Sequence, residues 1–238
     1  MGAMFQKILP FLNRNRYKLA IFGLMAGASL ICLALVGARI TVSDSGRYAG
    51  LVWNLFLAWI PFLLAYAAYT LSWSRRWLYI VIPVTAFLWL IFFPNAPYIL
   101  TDLQHLARQS ADTPLWYDVI MLVWFSWTGL LLGLVSMYLM HEILQRTFNK
   151  TVGWGFVFLV SGLSSFGVYL GRFVRFNSWD ILQDPSEVAV TVLGLVIDPS
   201  LRMVAFTALF ALFYLFVYLT LYSFGHLLQE KEHPVHVG

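Results

Sequence analysis

The sequence predicts an all-α, polytopic membrane protein, built as a bundle of about six transmembrane helices. Of its 238 residues, 61% are hydrophobic and only 11% are charged, whereas a soluble domain carries about 25% charged residues. The apolar residues form runs long enough to cross ~30 Å of hydrocarbon at ~1.5 Å per residue. Most basic residues lie between these runs, which is the positive-inside pattern, so the net charge of +4 is no sign of a nucleic-acid partner.

A single transmembrane domain, residues 19–224, is expected between a basic N-terminus (1–18) and a polar C-terminal tail (225–238). The first apolar run could be a cleaved signal peptide, because Val36-Gly37-Ala38 resembles a cleavage site, but its length favours a retained helix. The third run contains Pro83, which neighbouring helices can accommodate. The six predicted spans are Leu19–Ala38, Ala49–Leu71, Trp77–Phe93, Trp116–Met140, Val152–Leu170 and Met203–Phe224.

Two connecting segments, 94–115 and 171–201, are predicted to be structured loops. The first opens with Pro94-Asn95-Ala96-Pro97, and the second contains the apolar stretch Val188–Ile197. That stretch is too short to span a bilayer and is expected to be interfacial, re-entrant or packed on the bundle.

Counting Lys and Arg predicts that both termini lie in the cytoplasm. This orientation leaves nine basic residues inside and six outside, the bias that the positive-inside rule describes. Both structured loops then lie on the outer face of a cytoplasmic (inner) membrane. Reversing the protein would move both loops together and would not separate them.

Ten polar residues are therefore predicted to meet at one end of the bundle. Ionisable groups at membrane depth are costly and mark functional sites by default. The candidates are Asn54, Asn95, Tyr98, Asp102, His105, Asp118, Arg172, Arg175, Asn177 and Asp180.

Asp102 and His105 are the candidates for acid/base chemistry, with Asp118 as a further carboxylate. A spacing of three places Asp102 and His105 on one face of a short helix over 99–108. A carboxylate that orients an imidazole raises its basicity. The same pair could be part of a metal site, but too few ligands are evident, and we assign no metal. The alternative is structural, with Thr101 or Asp102 capping a helix and His105 at the interface.

Arg172 and Arg175 are the candidates for holding an anion, together with Asn177 and Asp180. Two guanidinium groups on one face can bind a phosphate or carboxylate bidentately. The alternatives are pairing with an aspartate or anchoring at lipid headgroups. Asn95 could hold a ligand, although a turn that ends the third span explains it equally well.

Other features favour packing roles. His141-Glu142, at the opposite end of the fourth span, is interpreted as a surface pair, and Cys32 as a buried thiol. Three Gly-x-x-x-Gly pairs predict close helix packing, either within the bundle or between copies and membrane partners. They are Gly23/Gly27, Gly129/Gly133 and Gly167/Gly171.

Two blocks of the chain resemble an uncharacterised prokaryotic membrane-protein family, domain of unknown function number thirteen sixty-one. The blocks are Phe93-Pro94-Asn95-Ala96-Pro97-Tyr98-Ile99-Leu100-Thr101-Asp102-Leu103-Gln104-His105-Leu106 and Gly171-Arg172-Phe173-Val174-Arg175-Phe176-Asn177-Ser178-Trp179-Asp180, with Trp116-Tyr117-Asp118 between them. The resemblance extends from the second span onward. It implies a multi-pass prokaryotic membrane protein and no particular activity.

Three functions agree with this pattern, and the sequence leaves open whether the protein is an enzyme or has a cofactor. The first is binding or processing of an anionic lipid or amphiphile at the polar site. The second is a proton- or cation-linked transporter or channel. The third is an assembly partner in which the charged cluster is purely structural.

Overall fold

The computed structural model describes the chain over residues 2–43, 45–72, 81–107 and 113–232. In these ranges all regular structure is helical, and six helices are long and apolar enough to cross a membrane. The prediction of an all-α bundle is confirmed. Part of the predicted third span, Trp77–Ile80, lies outside the described residues, as do His233 and His236 of the predicted tail.

The helices are numbered in chain order. They are α1 (Gly2–Ser43), α2 (Ala49–Leu71), α3 (Val81–Phe92), α4 (Asn95–Tyr98), a 3₁₀ helix (Ile99–Ala107), α5 (Leu115–Thr147), α6 (Lys150–Tyr169), a π-helical segment (Leu170–Val174), α7 (Asp180–Gln183), α8 (Pro185–Ile197) and α9 (Leu201–Glu232). The membrane-crossing stretches are Leu19–Ser43, Ala49–Leu71, Pro83–Leu106, Leu115–Thr147, Lys150–Val174 and Leu201–Leu227.

Helix α5 is the centre of the bundle. It packs against α1, α2, α4, α6 and the 3₁₀ helix, and buried residues cover most of its circumference, leaving one exposed apolar face at Ile120, Val123, Trp124 and Trp127. Glycines allow this close packing. A Cβ on Gly129 would lie 2.9 Å from the carbonyl oxygen of Ala96, and one on Gly133 would lie 3.1 Å from the Ala96 Cβ.

The Gly-x-x-x-Gly pairs differ in what they contact. Gly129/Gly133 and Gly167/Gly171 serve packing within the chain, since a Cβ on Gly167 would lie 2.6 Å from Pro94. Around Gly23 and Gly27, in contrast, a Cβ would meet nothing within 4 Å. Association of copies through the Gly23/Gly27 face stays a prediction.

Two spans depart from α-helical geometry at the same end of the bundle. The third span breaks at Pro94 and continues through α4 as a 3₁₀ helix, because the two prolines lack the backbone donors that an α-helix needs. The fifth span ends in the π-helical segment and closes on Arg175, whose φ is 70°. Such departures are frequent at functional sites. We call this end of the bundle the site end, and the predicted loop 94–115 is largely a continuation of the third span.

Candidate functional site

A buried carboxylate, that of Asp102, forms the centre of the site. It lies on the 3₁₀ helix and is only 2% exposed. Its Oδ2 accepts a hydrogen bond from Asn54 Nδ2 on α2 at 2.8 Å, and its Oδ1 accepts one from Arg172 Nη2. Arg172 Nε also donates to Thr101 Oγ1 at 2.7 Å. The network joins the second, third and fifth spans, and the buried charge of Asp102 is both paired and hydrogen-bonded, as burial requires.

Tyr98 forms the other face of the arginine. The Arg172 guanidinium carbon lies 4.3 Å from the centre of the Tyr98 ring, a cation–π contact. Gly171 permits this arrangement, because a Cβ there would lie 3.2 Å from the ring. Arg172 is thus held by an ion pair, a hydroxyl and a ring, all within the chain.

His105 follows Asp102 by one turn, as the spacing predicts. Its Nε2 lies 3.5 Å from Asp102 Oδ1, and its side chain is 42% exposed. The carboxylate that faces His105 is therefore Asp102, and a carboxylate in this position can orient an imidazole for proton transfer. The imidazole lies at the surface of the network and is accessible.

A cavity of about 410 Å³ lies beside this network. Its walls come from α2, α3, α4, α6, the π-helical segment and the α7–α8 region, and they are mostly apolar. The predicted site residues Asn54, Asn95, Tyr98 and Asn177 all line it, together with Ser178. Asp102 does not itself line the cavity, but its hydrogen-bond partner Asn54 does. Volume and mixed lining are those of a small-molecule site.

Asn95 fastens the break in the third span to the loop that follows the fifth. Its Nδ2 donates to the carbonyl oxygen of Phe92 at 2.9 Å and to Ser178 Oγ at 2.7 Å. In the same loop Asp180 Oδ2 accepts from the backbone N–H of Asn177 at 2.7 Å and from its Nδ2 at 3.3 Å. Asn95 thus stabilises the turn that ends the third span and also lines the cavity. Asp180 stabilises its own loop through its hydrogen bonds to Asn177.

Arg175 differs from Arg172 although it is only three residues away. It is exposed, and the left-handed φ at this position turns the chain immediately before Phe176, a cavity-lining residue. Its side chain has no hydrogen bond or ion pair with any described residue. The two arginines therefore do not form one anion-binding pair. Arg172 makes its contacts within the protein, whereas the Arg175 side chain is exposed.

Asp118 takes part in a separate ion pair. Arg39 Nε and Nη2 on α1 donate to Asp118 Oδ1 and Oδ2 at 2.8 and 3.2 Å, a bidentate contact that is almost fully buried. Arg39 Nη1 reaches Ser43 Oγ at 2.8 Å, and Tyr48 donates to Asp118 Oδ2 at 3.3 Å. Burial and the nearby Asp118 carboxylate raise the pKa of Tyr48. Asp118, predicted as a further carboxylate for acid/base chemistry, is thus paired with a cation from α1, and the carboxylate beside His105 is Asp102.

The prediction that His141 belongs to a surface pair is wrong. It is fully buried at the opposite end of the bundle, where Nδ1 lies 2.7 Å from Tyr218 Oη and Nε2 lies 2.6 Å from the Gln145 amide nitrogen. The Trp154 ring is 4.8 Å away, and Gly153 leaves room for the imidazole. One sequence pattern could have indicated this buried cluster. Tyrosines recur at every fourth position of the last span, so their hydroxyl groups lie on one helix face; they are Tyr214, Tyr218 and Tyr222.

The described part of the chain contains no group of three or more His, Cys, Asp or Glu side chains that could hold a metal ion. The family model described as "Protein of unknown function (DUF1361)" matches residues 53–220. The chain belongs to this family. The match includes all ten predicted site residues but excludes α1 and Arg39. Neither a curated protein nor a solved structure matches the chain.

Proposed function

We propose that this DUF1361 member binds a single amphiphile at the site end, with the apolar part in the cavity and the headgroup at its polar rim. The observation that carries the proposal is the cavity itself. It is about 410 Å³ in volume, its wall is largely apolar, and amide and hydroxyl groups are present in that wall. Pockets of 300–1,000 Å³ with a few convergent polar groups are typical of ligand sites.

The distribution of charge supports an anionic headgroup near Arg175. Arg172 is neutralised by Asp102 and stacked on Tyr98, so its role is to hold the cavity wall. Arg175 is the exposed cation next to the cavity-lining Phe176. A guanidinium presents several donors in a planar fork that matches phosphate or carboxylate oxygens.

Binding is better supported than catalysis. His105 is positioned by Asp102, but it is absent from the residues that line the cavity. A general acid or base has to come within about 3 Å of the proton that it moves, directly or through one water. A catalytic role for His105 therefore requires a ligand headgroup that extends beyond the cavity.

The test is lipid occupancy of the purified protein, measured by native mass spectrometry. Phosphatidylglycerol and phosphatidylcholine with identical acyl chains serve as the anionic and zwitterionic probes. Val188→Trp fills the cavity from α8, and we expect it to abolish the bound lipid. The matched control is Val190→Trp on the same helix, where the side chain is 71% exposed and lies outside the cavity.

Arg175→Gln should lower the preference for phosphatidylglycerol over phosphatidylcholine by about tenfold, the size of one charge-assisted contact. Full occupancy in Val188→Trp would overturn the proposal. Equal occupancy by both lipids in the parent protein would overturn its anionic part. Transport, assembly with another membrane protein, the inner-membrane location and the orientation of the termini stay predictions.

A further inference from the structure

The cavity wall contains apolar side chains that also face outward from the bundle. Trp53 on α2, Phe87 on α3 and Leu163 on α6 all line the cavity, and they are 52%, 58% and 45% exposed. Exposed apolar groups on a transmembrane helix face lipid tails. Helix α3 packs on α2, and α6 packs on α5 and α9. Helices α3 and α6 meet through the stacked rings of Trp89 and Phe156, whose centres are 5.6 Å apart, and have no extensive backbone contact beside the cavity. The cavity therefore borders the lipid between α3 and α6.

Helix α8 has apolar residues on two opposite faces. The inner face contains Val188, which is buried, and the half-buried residues Thr191, Val192 and Leu195. This face has the spacing of one helical stripe. The outer face is strongly exposed: Val190, Leu193, Val196 and Ile197 are 71%, 59%, 62% and 80% accessible. The inner face is directed toward the protein, and the outer face has no partner among the described residues.

The position of α8 in the chain decides what covers its outer face. The helix has 13 residues, about 20 Å, which is too short to cross a bilayer. Val188 attaches it to the cavity wall, and only Asp198-Pro199-Ser200 separate it from Leu201, where the last membrane span begins. Leaving this face in water would cost about 25 cal/mol per Å². A short apolar helix tied to the end of a span lies instead at the lipid interface.

The ends of α8 agree with that position. Asp184 caps its N-terminus, accepting from the Glu187 N–H at 3.1 Å, and the Ser186 hydroxyl and Glu187 N–H lower the pKa of Asp184. This exposed carboxylate therefore stays charged and stays in water or headgroups. At the other end of the helix, the exposed Asp198 donates its backbone N–H to the carbonyl oxygen of Gly194. An apolar outer face between two anionic ends fits a helix that lies parallel to the membrane surface.

From these observations we infer that the cavity exchanges its ligand directly with the lipid leaflet at the site end, through the gap between α3 and α6. Helix α8 is seated in the same leaflet by its outer face. The inference rests on the proposed function and makes it more specific: the ligand is a membrane-resident lipid, and it reaches the cavity sideways without passing through water.

The route is tested by blocking it at one point. Leu163→Cys, in a Cys32→Ser background, is labelled with a bulky maleimide in proteoliposomes. The matched control is Leu159→Cys, one turn away on α6, which is 63% exposed but does not line the cavity. A label on Gln183→Cys, exposed on α7, probes access from water. The probe is phosphatidylglycerol with a photoreactive acyl chain, delivered into the bilayer by cyclodextrin exchange.

We expect the label at position 163 to lower the initial rate of photocapture by about tenfold, because it blocks the route by which the lipid associates. Labels at positions 159 and 183 should leave the rate unchanged. Slower capture with the label at 183 and not at 163 would overturn the lateral route in favour of access from water. Equal rates in all three would also overturn it. No capture by the unlabelled protein would contradict the proposed function itself.

The seating of α8 is tested independently of any ligand. A spin label on Leu193→Cys should be relaxed strongly by oxygen and weakly by a water-soluble nickel complex. A label on Thr191→Cys, on the inner face, should respond weakly to both. Strong relaxation by nickel at position 193 would place the outer face in water. Spin–spin broadening at position 193 would mean that a second copy covers it. Either result would overturn the inference.

Discussion

Asp102 and Asp118 are both buried at the site end, at 2% and 4% exposure, and each is paired with an arginine. They differ in their surroundings. Asp118 accepts two hydrogen bonds from Arg39, one on each carboxylate oxygen, and its Oδ2 also accepts one from the Tyr48 hydroxyl. Asp102 accepts one bond from Arg172 and one from Asn54, and it also faces the accessible His105.

This difference distinguishes a pair that joins two helices from a network that borders the cavity. The Asp118 pair joins α1 to α5, and its partners Arg39 and Tyr48 are not among the residues that line the cavity. The partners of Asp102 include a cavity-lining amide, Asn54, and its arginine stacks on the cavity-lining Tyr98. We therefore expect a change at Asp102 to affect the cavity, and a change at Asp118 to affect stability alone.

The largest effect is expected from Arg39→Met. It leaves the Asp118 carboxylate buried without its cation, which costs about 3–5 kcal/mol. The midpoint of thermal unfolding in detergent should fall sharply. In the double variant Arg39→Met/Asp118→Leu, which buries no charge, most of the stability should return. An unchanged midpoint in the single variant would show that the pair is not structural.

Asp102→Asn should have a smaller effect on stability and a larger one on binding. It removes the charge that holds Arg172, a contact worth about 1.5–3 kcal/mol, while the side chain can still accept from Asn54. Lipid occupancy by native mass spectrometry should fall, with the unfolding midpoint lowered less than in Arg39→Met. If occupancy is unchanged, the network does not support the cavity.

Alkaline pH should weaken the Asp118 cluster and spare the Asp102 network. The pKa of Tyr48 is raised in the folded state above its ordinary value of 10.0. For a raised pKa the stabilisation is fully present below the unfolded value and is lost as the pH rises through the folded value. Stability should therefore fall above pH 10.0, and the fall should be reduced in Tyr48→Phe. A loss of bound lipid that parallels this fall in stability and is likewise reduced in Tyr48→Phe would contradict the separation of the two clusters.

His105→Ala should have the smallest effect on folding. The side chain is 42% exposed, and substitutions at such surfaces usually change stability by no more than about 0.5 kcal/mol. If the protein converts its lipid chemically, this variant should abolish conversion while binding and the unfolding midpoint are retained. Conversion at the parent rate would remove His105 from the chemistry.

The sequence predicted where the candidate site lies in the bundle, but not which of its side chains pair with one another. Topology alone brought Asn54, Asp102 and Arg172 to one end, because residues at alternate span ends share a face. The spacing of Asp102 and His105 predicted their contact. Spacing could not show that Arg172 is paired within the protein while Arg175 is exposed, since the chain ends its helix there in a π-helical segment and one left-handed residue.

Composition and apolar run length by themselves determined that the chain is a bundle of six membrane-spanning helices, because lipid admits few other structures. Only the tertiary structure decided which charges pair. The rotation of each helix about its own axis determines whether its carboxylate lies next to Arg39 or next to His105. That rotation depends on how whole helix faces pack together, including the close contacts that the glycines of α5 allow. The same packing buried His141 against the last span. Partner choice in a low-dielectric core depends on distances of a few ångströms that no sequence interval specifies.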